Sequence, residues 1–391
     1  MRVTHIITRL IVGGAQENTV ASVLGMTGKA DIESELISGP ASGTEGSLTA
    51  LFANCPHKLI TASWLVRQIH PVKDLLAVAQ LANILRALRA DIVHTHSGKA
   101  GILGRLAARC ARVPIVVHTV HGPSFGPFQG LLANTIFKTA ERIAARFTTH
   151  FVTVADAMTR QYLDAGIGRP EQFTRVLSGF SLEPFLRTRN DPALRARWGL
   201  APTDFVVGKL ARLTSLKGHD ALLACGPELA RSVPHIKLLL IGDGPLRRSL
   251  EAKVRALGLE SHFVFTGLVQ PSEVPNLIGL MDALVHLSCR EGLPRALPQA
   301  LAAAKPVVAY DLDGASEVCH DNETGFLIPA GDTTQLVDRI VRLASDPVLR
   351  ARLGGRGREL VRELFSVEQM VDALYALYQK LSANARTDWR A

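Results

Sequence analysis

Along the chain, short β-branched and aliphatic runs alternate with stretches of helical spacing. RVTHIITRL leads through IVGGA into QENTVASVLGM, and DIVHTHS leads through GKAG into ILGRLAARCARV. PIVVHTVHG follows, then THFVTVA running into DAMTRQYLDAG. A second series comprises FVVGKLAR, IKLLLIGDG, HFVFTGL, DALVHLS, KPVVAYD and GFLIP. These runs are nearly continuous rather than alternating, as in strands buried on both faces of a parallel sheet. Their alternation with helices predicts a doubly wound α/β architecture. A length of 391 residues exceeds one core and suits two domains of about 150 to 200 residues. The boundary is expected near residue 187, in SLEPFLRTRNDPALRARWGLAP, which is polar and carries three prolines. In the tail, Met370, Val371, Leu374 and Leu377 fall at helical spacing and predict a terminal helix.

Composition narrows the class. Hydrophobic residues make up 47% and charged residues 20%, a globular balance. No apolar run approaches the roughly 18 residues that span a bilayer, and the N-terminal MRVTHIITRLIVGG does not read as a signal peptide. The five cysteines have no CxxC spacing, which suits reduced thiols. A cytoplasmic protein is expected. The formal charge of +9 is unevenly placed: 20 Lys+Arg against 12 Asp+Glu give +8 in residues 1–190, and 24 against 23 give +1 in the remainder. Such asymmetry suits an anionic membrane face or a phosphorylated substrate, or a solvated surface with no partner. Nucleic acid is not expected, because aromatics are only 5% and no stretch interleaves them with cations.

Candidate chemistry lies just after the strands, where ligands bind in such sheets. Gly13 and Gly14 open the first helix, where amide groups favour a phosphate; a plain tight turn explains them equally. Gly242 and Gly244 resemble a dinucleotide fingerprint, but Arg247 stands at the third glycine position, which disfavours a nicotinamide dehydrogenase. Arg212 and Lys217 sit in the loop after FVVGKL, spaced to clamp a pyrophosphate with a fork and a point charge, or to form a solvated face. Glu291 follows DALVHLS, with Gly292, Leu293 and Pro294 shaping a turn. Its carboxylate could accept sugar hydroxyls or steady a positive centre, or merely complement a helix dipole. Gln299 falls in the helix that follows. His94, His96, His118 and His121 cluster after two strands; no cysteine or carboxylate completes a metal set, and one histidine bonding a substrate is preferred. Asp311 and Asp313 read as a turn rather than as metal ligands.

Taken together, GGAQ, ADIVHTHSGKAG, TVHG, GKLARLTSLKG, IGDGP, FTG, EGLPRALPQALAAAKPVVA and ETGFLIPAGD resemble, in order and spacing, the retaining glycosyltransferases of family four. The resemblance runs over nearly the whole chain and is most specific between about residues 205 and 335. It implies the GT-B fold: an acceptor-binding Rossmann-like domain at 1–187, a nucleotide-sugar-binding one at 188–365 facing it across a cleft, and a helix at 366–391 returning to the first. It implies a UDP- or GDP-activated sugar moved with retention to a glycan or lipid-linked acceptor, with no metal cofactor, in cell-surface polysaccharide or glycolipid synthesis. Gly14 would then lie against the diphosphate, Arg212 and Lys217 would neutralise it, Glu291 would touch the transferred sugar, Gln299 would hold the ribose, and His121 would lie near sugar and acceptor.

This chain departs from the family pattern at two places. Gln299 stands where a second Glu is usual, and Ser178-Gly179-Phe180-Ser181 replaces Asn-Gly-Val-Asp. The first bears on ribose binding, the second on the hinge. A sugar-nucleotide 2-epimerase and a silent nucleotide-sugar-binding subunit are the rival expectations. A basic helical segment with Lys138, Arg142 and Arg146 suggests docking on an anionic membrane.

Overall fold

The apolar runs form the central strands of two parallel sheets in the computed structural model, which describes residues 1–40, 46–122, 124–126 and 128–388. These belong to two units, Met1–Phe180 with Ser366–Ala391, and Ser181–Phe365. The first unit runs β1 (Arg2–Ile7), α1 (Gly14–Gly25), β2 (Glu33–Ser38), β3 (Leu59–Thr61), α2 (Pro71–Leu88), β4 (Ile92–His96), α3 (Gly98–Ala111), β5 (Ile115–Val120), α4 (Leu131–Ala145), β6 (His150–Thr153), α5 (Asp156–Asp164) and β7 (Phe173–Arg175). The second runs α6 (Glu183–Leu186), α7 (Pro192–Arg197), β8 (Phe205–Leu210), α8 (His219–Ser232), β9 (Ile236–Ile241), α9 (Arg247–Ala256), β10 (Phe263–Gly267), α10 (Val274–Gly279), β11 (Ala283–His286), α11 (Ala296–Ala302), β12 (Val307–Tyr310), β13 (Gly325–Ile328), α12 (Thr333–Ser345) and α13 (Pro347–Leu364). The chain then returns to the first unit as α14 (Val367–Asp388).

Strand order is β3-β2-β1-β4-β5-β6-β7 in one sheet and β10-β9-β8-β11-β12-β13 in the other. Both reverse direction beside their first strand, so each has one topological switch point: between β1 and β4, and between β8 and β11. Loops at the carboxyl ends of those neighbouring strands are where an open α/β sheet binds ligands.

In the first unit, Met370, Val371, Leu374, Leu377 and Tyr378 of α14 are buried against Val3, Ile92, Ile115 and Val117 of the sheet. Burying an aliphatic side chain is worth about 1.5–3 kcal/mol, which gives α14 its place in this unit. On the opposite layer, Leu81 and Leu85 of α2 and Leu103 and Ala107 of α3 cluster with Ile6 and Val93. Helix α4 is tied to α3 by a fully buried ion pair, Arg105 Nη2 to Glu141 Oε2 at 2.5 Å.

In the second unit, Val207, Leu238, Leu240 and Val285 of the strands pack with Leu222, Leu250, Leu336 and Ile340 of the helices. Asp332 and Asp346 cap α12 and α13 by accepting from Gln335 N and Leu349 N. The chain enters this unit at Ser181, upstream of the 187 read from the sequence. Leu186, which lies between them, is already tied to it: its carbonyl accepts from Arg358 Nη2 at 2.7 Å.

Candidate functional site

The candidate residues fall into two sets, one in each unit. In the second unit, Arg212 and Lys217 lie in the loop after β8, and Glu291 lies in the loop after β11. These are the two strands at the switch point. Hydrogen bonds stitch the loops together: Cys289 N donates to Leu216 O at 2.9 Å, and the Ser288 hydroxyl donates to the same oxygen at 3.2 Å. Gly218 adopts φ +67, and a Cβ there would sit 2.0 Å from Leu287 O. Only glycine satisfies both the left-handed turn and that approach. The result is direct contact between Lys217 Nζ and Glu291 Oε1, residues 74 apart in sequence.

Glu291 is fixed from a third side. Its backbone N–H donates to Asp313 Oδ2 at 2.7 Å, and Gly314 N donates to Gly292 O at 3.1 Å. Asp313 holds φ +51 to do this, and its carboxyl is pushed up by burial. Asp313 is therefore a turn residue that orients Glu291. Gly292 and Leu293 are buried under the same turn.

The electrostatics follow from this packing. Burial pushes the Glu291 carboxyl up, but the Lys217 ammonium, with His286 and Ser288, outweighs it and leaves the carboxyl below its ordinary value. His286 Nε2 lies 3.8 Å from Glu291 Oε1 and is buried with no hydrogen-bond partner among the described residues. Burial lowers its pKa to about 4, so it is neutral near pH 7. Lys209, buried at the end of β8, falls to about 7 through burial and the neighbouring Lys217. Neither Lys209 nor His286 was picked out from the sequence. The signal was there: each is a titratable residue inside an otherwise apolar run.

The remaining members of this set are placed as follows. The Arg212 side chain is exposed, while its carbonyl accepts from His219 Nε2 at 3.0 Å. A Cβ on Gly242 would meet Ala211 O at 2.3 Å, and one on Gly244 would meet Leu213 O at 2.5 Å. Both glycines thus let their turn press against the loop that carries Arg212, which accounts for them without a fingerprint. Gln299, half-buried on α11, touches none of the other candidates through any hydrogen bond described.

The first unit holds Gly13, Gly14 and the histidines. Gly14 opens α1, and Gly13 caps it with extended backbone. His94 lies in the middle of β4 and His96 ends it, His118 lies in β5, and His121 follows that strand. His94 is engaged at both nitrogens, by Tyr378 Oη at 2.5 Å and Thr119 Oγ1 at 2.6 Å. His118 Nδ1 is 2.9 Å from Thr95 Oγ1. His5 of β1, which the sequence reading passed over, joins the group: its Nδ1 is 2.9 Å from His96 Nε2, and His96 Nδ1 is 3.0 Å from His121 Nε2. Ring nitrogens of His5, His94 and His96 come within 4.8 Å of one another. The contacts are those of hydrogen bonds; tetrahedral ligands about 2.0–2.1 Å from a zinc ion stand about 3.3 Å apart. Burial holds His5 at about 3 and His94 and His96 well below the usual histidine value, so the group is neutral.

Among the described residues, no helix is long and apolar enough to cross a membrane. Helix α4 nevertheless exposes Leu131, Leu132, Ile136 and Ile143, beside exposed Arg142 and Arg146 and half-buried Lys138.

Comparison with known proteins places this arrangement in context. The family profile described as glycosyl transferases group 1 matches residues 190–360, and that of a glycosyl transferase 4-like domain matches residues 31–178. The chain is 30% identical over 287 residues to a GDP-mannose-dependent alpha-(1-6)-phosphatidylinositol monomannoside mannosyltransferase of Mycobacterium tuberculosis, covering 69% of this chain and 71% of that one. It is 28% identical over 329 residues to a UDP-Gal:alpha-D-GlcNAc-diphosphoundecaprenol alpha-1,3-galactosyltransferase of Escherichia coli, covering 82% and 83%. The solved structure of Anabaena HepE in complex with UDP has the same fold, with a TM-score of 0.81 at 22% identity, over 97% of this chain and all of that one.

Proposed function

The chain belongs to the family-four glycosyltransferases of GT-B fold, and from that premise we propose that it moves a sugar, with retention, from a nucleoside-diphosphate donor to a hydroxyl of a glycan or lipid-linked acceptor. That it is a glycosyltransferase rests on the family. The donor class draws support from the relatives, one named as GDP-mannose-dependent and another as using UDP-galactose. The single observation that carries the proposed chemistry is the contact of Lys217 with Glu291 at the switch point of the second sheet.

In this reading, the bond from the anomeric carbon to the diphosphate breaks and its electron pair stays on the phosphate oxygen. Lys217 and Arg212 stabilise that charge, which is where preorganised cations act most strongly. Glu291, released from Lys217, accepts hydroxyls of the transferred sugar. The acceptor oxygen bonds to the same face of the sugar, and its proton passes to the departing phosphate. No covalent enzyme intermediate is needed, and the cations supply the role of a divalent ion. Gly13 and Gly14 offer helix-terminal amides to the diphosphate, and Gln299 bonds the ribose.

The acceptor is proposed to lie at a cytoplasmic membrane face. The exposed leucines and isoleucines of α4, flanked by Arg142 and Arg146, have the make-up of an interfacial helix, and each cation near an anionic surface contributes about 1 kcal/mol.

The test is a thermal-shift screen of nucleotide sugars, since a ligand bound only to the native state raises its melting temperature. The stabilising donor is then assayed for transfer in EDTA, with the anomeric configuration of the product read by NMR. Retained configuration supports the reading. Conversion of donor to its epimer without acceptor, or activity that only Mn²⁺ restores, overturns it.

A further inference from the structure

We propose that Lys209 is a positioning residue for Glu291: when a nucleoside diphosphate draws Lys217 away, Lys209 becomes the cation facing the freed carboxylate, and donor binding takes up a proton. The inference rests on the proposed donor site and adds to it a residue that the diphosphate clamp does not include.

Strand order sets the geometry. Lys209 is the last residue but one of β8 and lies beside Leu240 of β9. The register sets Gly208 against Leu284 of β11, so Lys209 stands where the loops of both switch-point strands begin. It is 2% exposed. The titratable groups whose charges act on Lys209, or feel it, come from both of those loops and their flanks. Lys217 belongs to the loop after β8 and His219 opens α8, while His286 ends β11 and Cys289 and Glu291 follow it.

Charge balance assigns the role. In the empty site, Lys217 and Glu291 neutralise each other. Burial, the largest influence on both, lowers His219 and His286 to about 4, so they are neutral near pH 7. An ammonium on Lys209 is then a buried charge with a second cation against it. Burial and Lys217 bring it down to about 7, although Glu291 and Cys289 act the other way.

A diphosphate reverses this balance. It brings negative charge to the site and engages the Lys217 ammonium, which leaves Glu291 without its partner. Both changes favour the charged form of Lys209. Burial alone would push the freed Glu291 carboxyl up, and the new ammonium opposes that, so the carboxylate stays ionised to accept sugar hydroxyls. A buried lysine changes its charge readily where an arginine does not, which suits a cation needed in only one of two states. The proton comes from solvent.

The experiment is titration calorimetry of the full chain at pH 8, in HEPES and in Tris, with UDP, or with GDP if that is the nucleotide it binds. The two buffers differ in ionisation enthalpy, so the difference in observed heat counts protons. At pH 8, Lys209 is about nine-tenths uncharged in the empty protein, and a terminal phosphate, with a second pKa of about 6, is already ionised. The parent should take up about 0.5 to 0.9 proton per nucleotide, and its affinity should fall about fivefold from pH 7 to pH 8. Lys209→Met should take up none, and its affinity should stay level over that range. Lys217→Ala should also lose the uptake, because its Glu291 is unpaired and its Lys209 already charged before the nucleotide arrives. Nucleotide binding without proton uptake in the parent overturns the proposal and leaves the donor site standing. Uptake that persists in Lys209→Met overturns it as well, since the proton then goes elsewhere. Uptake undiminished in Lys217→Ala refutes the exchange of partners. A parent that binds neither nucleotide overturns the donor-site reading, and this proposal with it.

Discussion

Replacing Glu291 with glutamine should tighten UDP binding while slowing sugar transfer. In the unliganded protein, Lys217 is already spent on Glu291. A diphosphate must draw the ammonium away, so part of its binding energy goes to breaking that pair. The two side chains are 19% and 26% exposed, which places the pair among partly solvated bridges worth no more than about 1 kcal/mol. Glutamine keeps the shape and removes the competing charge. UDP should therefore bind about fivefold more tightly to Glu291→Gln. Transfer should fall at least about tenfold, or 1.4 kcal/mol of barrier, because the carboxylate is no longer there for the sugar.

Titration calorimetry with UDP reads the first effect, and steady-state kinetics with the donor reads the second. Lys217→Ala supplies the control: UDP should bind about tenfold more weakly, and adding Glu291→Gln to it should change nothing further. If Glu291→Gln binds UDP no more tightly than the parent, the pair does not compete with the diphosphate. If the gain survives in the absence of Lys217, it comes from the general field of the carboxylate and not from the pair. The pH dependence has a definite sign. Because the native Glu291 carboxyl lies below the usual 4.5, its contribution to stability is present above that value and is lost as pH falls through its native pKa.

Lys209→Met should stabilise the protein by several kcal/mol at pH 6 and by less at pH 9.5, read from urea midpoints. Native Lys209 titrates near 7 against an ordinary 10.5, at about 1.4 kcal/mol per decade, so the unfolded chain holds more protons between those values and stability rises with pH across that window; equal stabilisation at both pH values would show that the lysine is not desolvated. Gln299→Glu should change the donor KM less than tenfold, since an amide can still pair two ribose hydroxyls, whereas Gln299→Leu should raise it more by leaving buried hydroxyls unpaired; a Gln299→Leu enzyme that binds donor normally removes this residue from the ribose. Sedimentation with anionic vesicles should be strong at low salt, weaken at 0.5 M salt, and drop in Leu131→Ser/Leu132→Ser; equal binding to neutral vesicles would contradict the charge argument.

The central strands were legible because both faces of a parallel sheet are covered, which favours nearly continuous apolar runs such as IKLLLI and IVVHTV. Strand β2 escaped notice for the opposite reason. It reads ESELIS, with Glu33 exposed and Ser34 and Ser38 buried, so polar residues interrupt the pattern although the strand lies inside the sheet. Strands β3 and β7, three residues each at the sheet edges, are too short to carry a period.

The site divides along a similar line. Position along a strand is local information, and it placed Arg212, Lys217 and Glu291 after β8 and β11. Partnership is not local. Nothing in the stretch between them announces that Lys217 reaches Glu291; adjacency of β8 and β11 does, and that is a property of strand order. The same holds for His5, which meets His96 because β1 lies beside β4. A switch point turns sequence-distant strands into neighbours, so a chain whose motifs follow its first and fourth strands has already indicated which pair of loops will meet. Reading titratable residues inside those particular strands, as Lys209, His286, His5 and His96 stand here, is the step from motif to geometry that sequence alone permits.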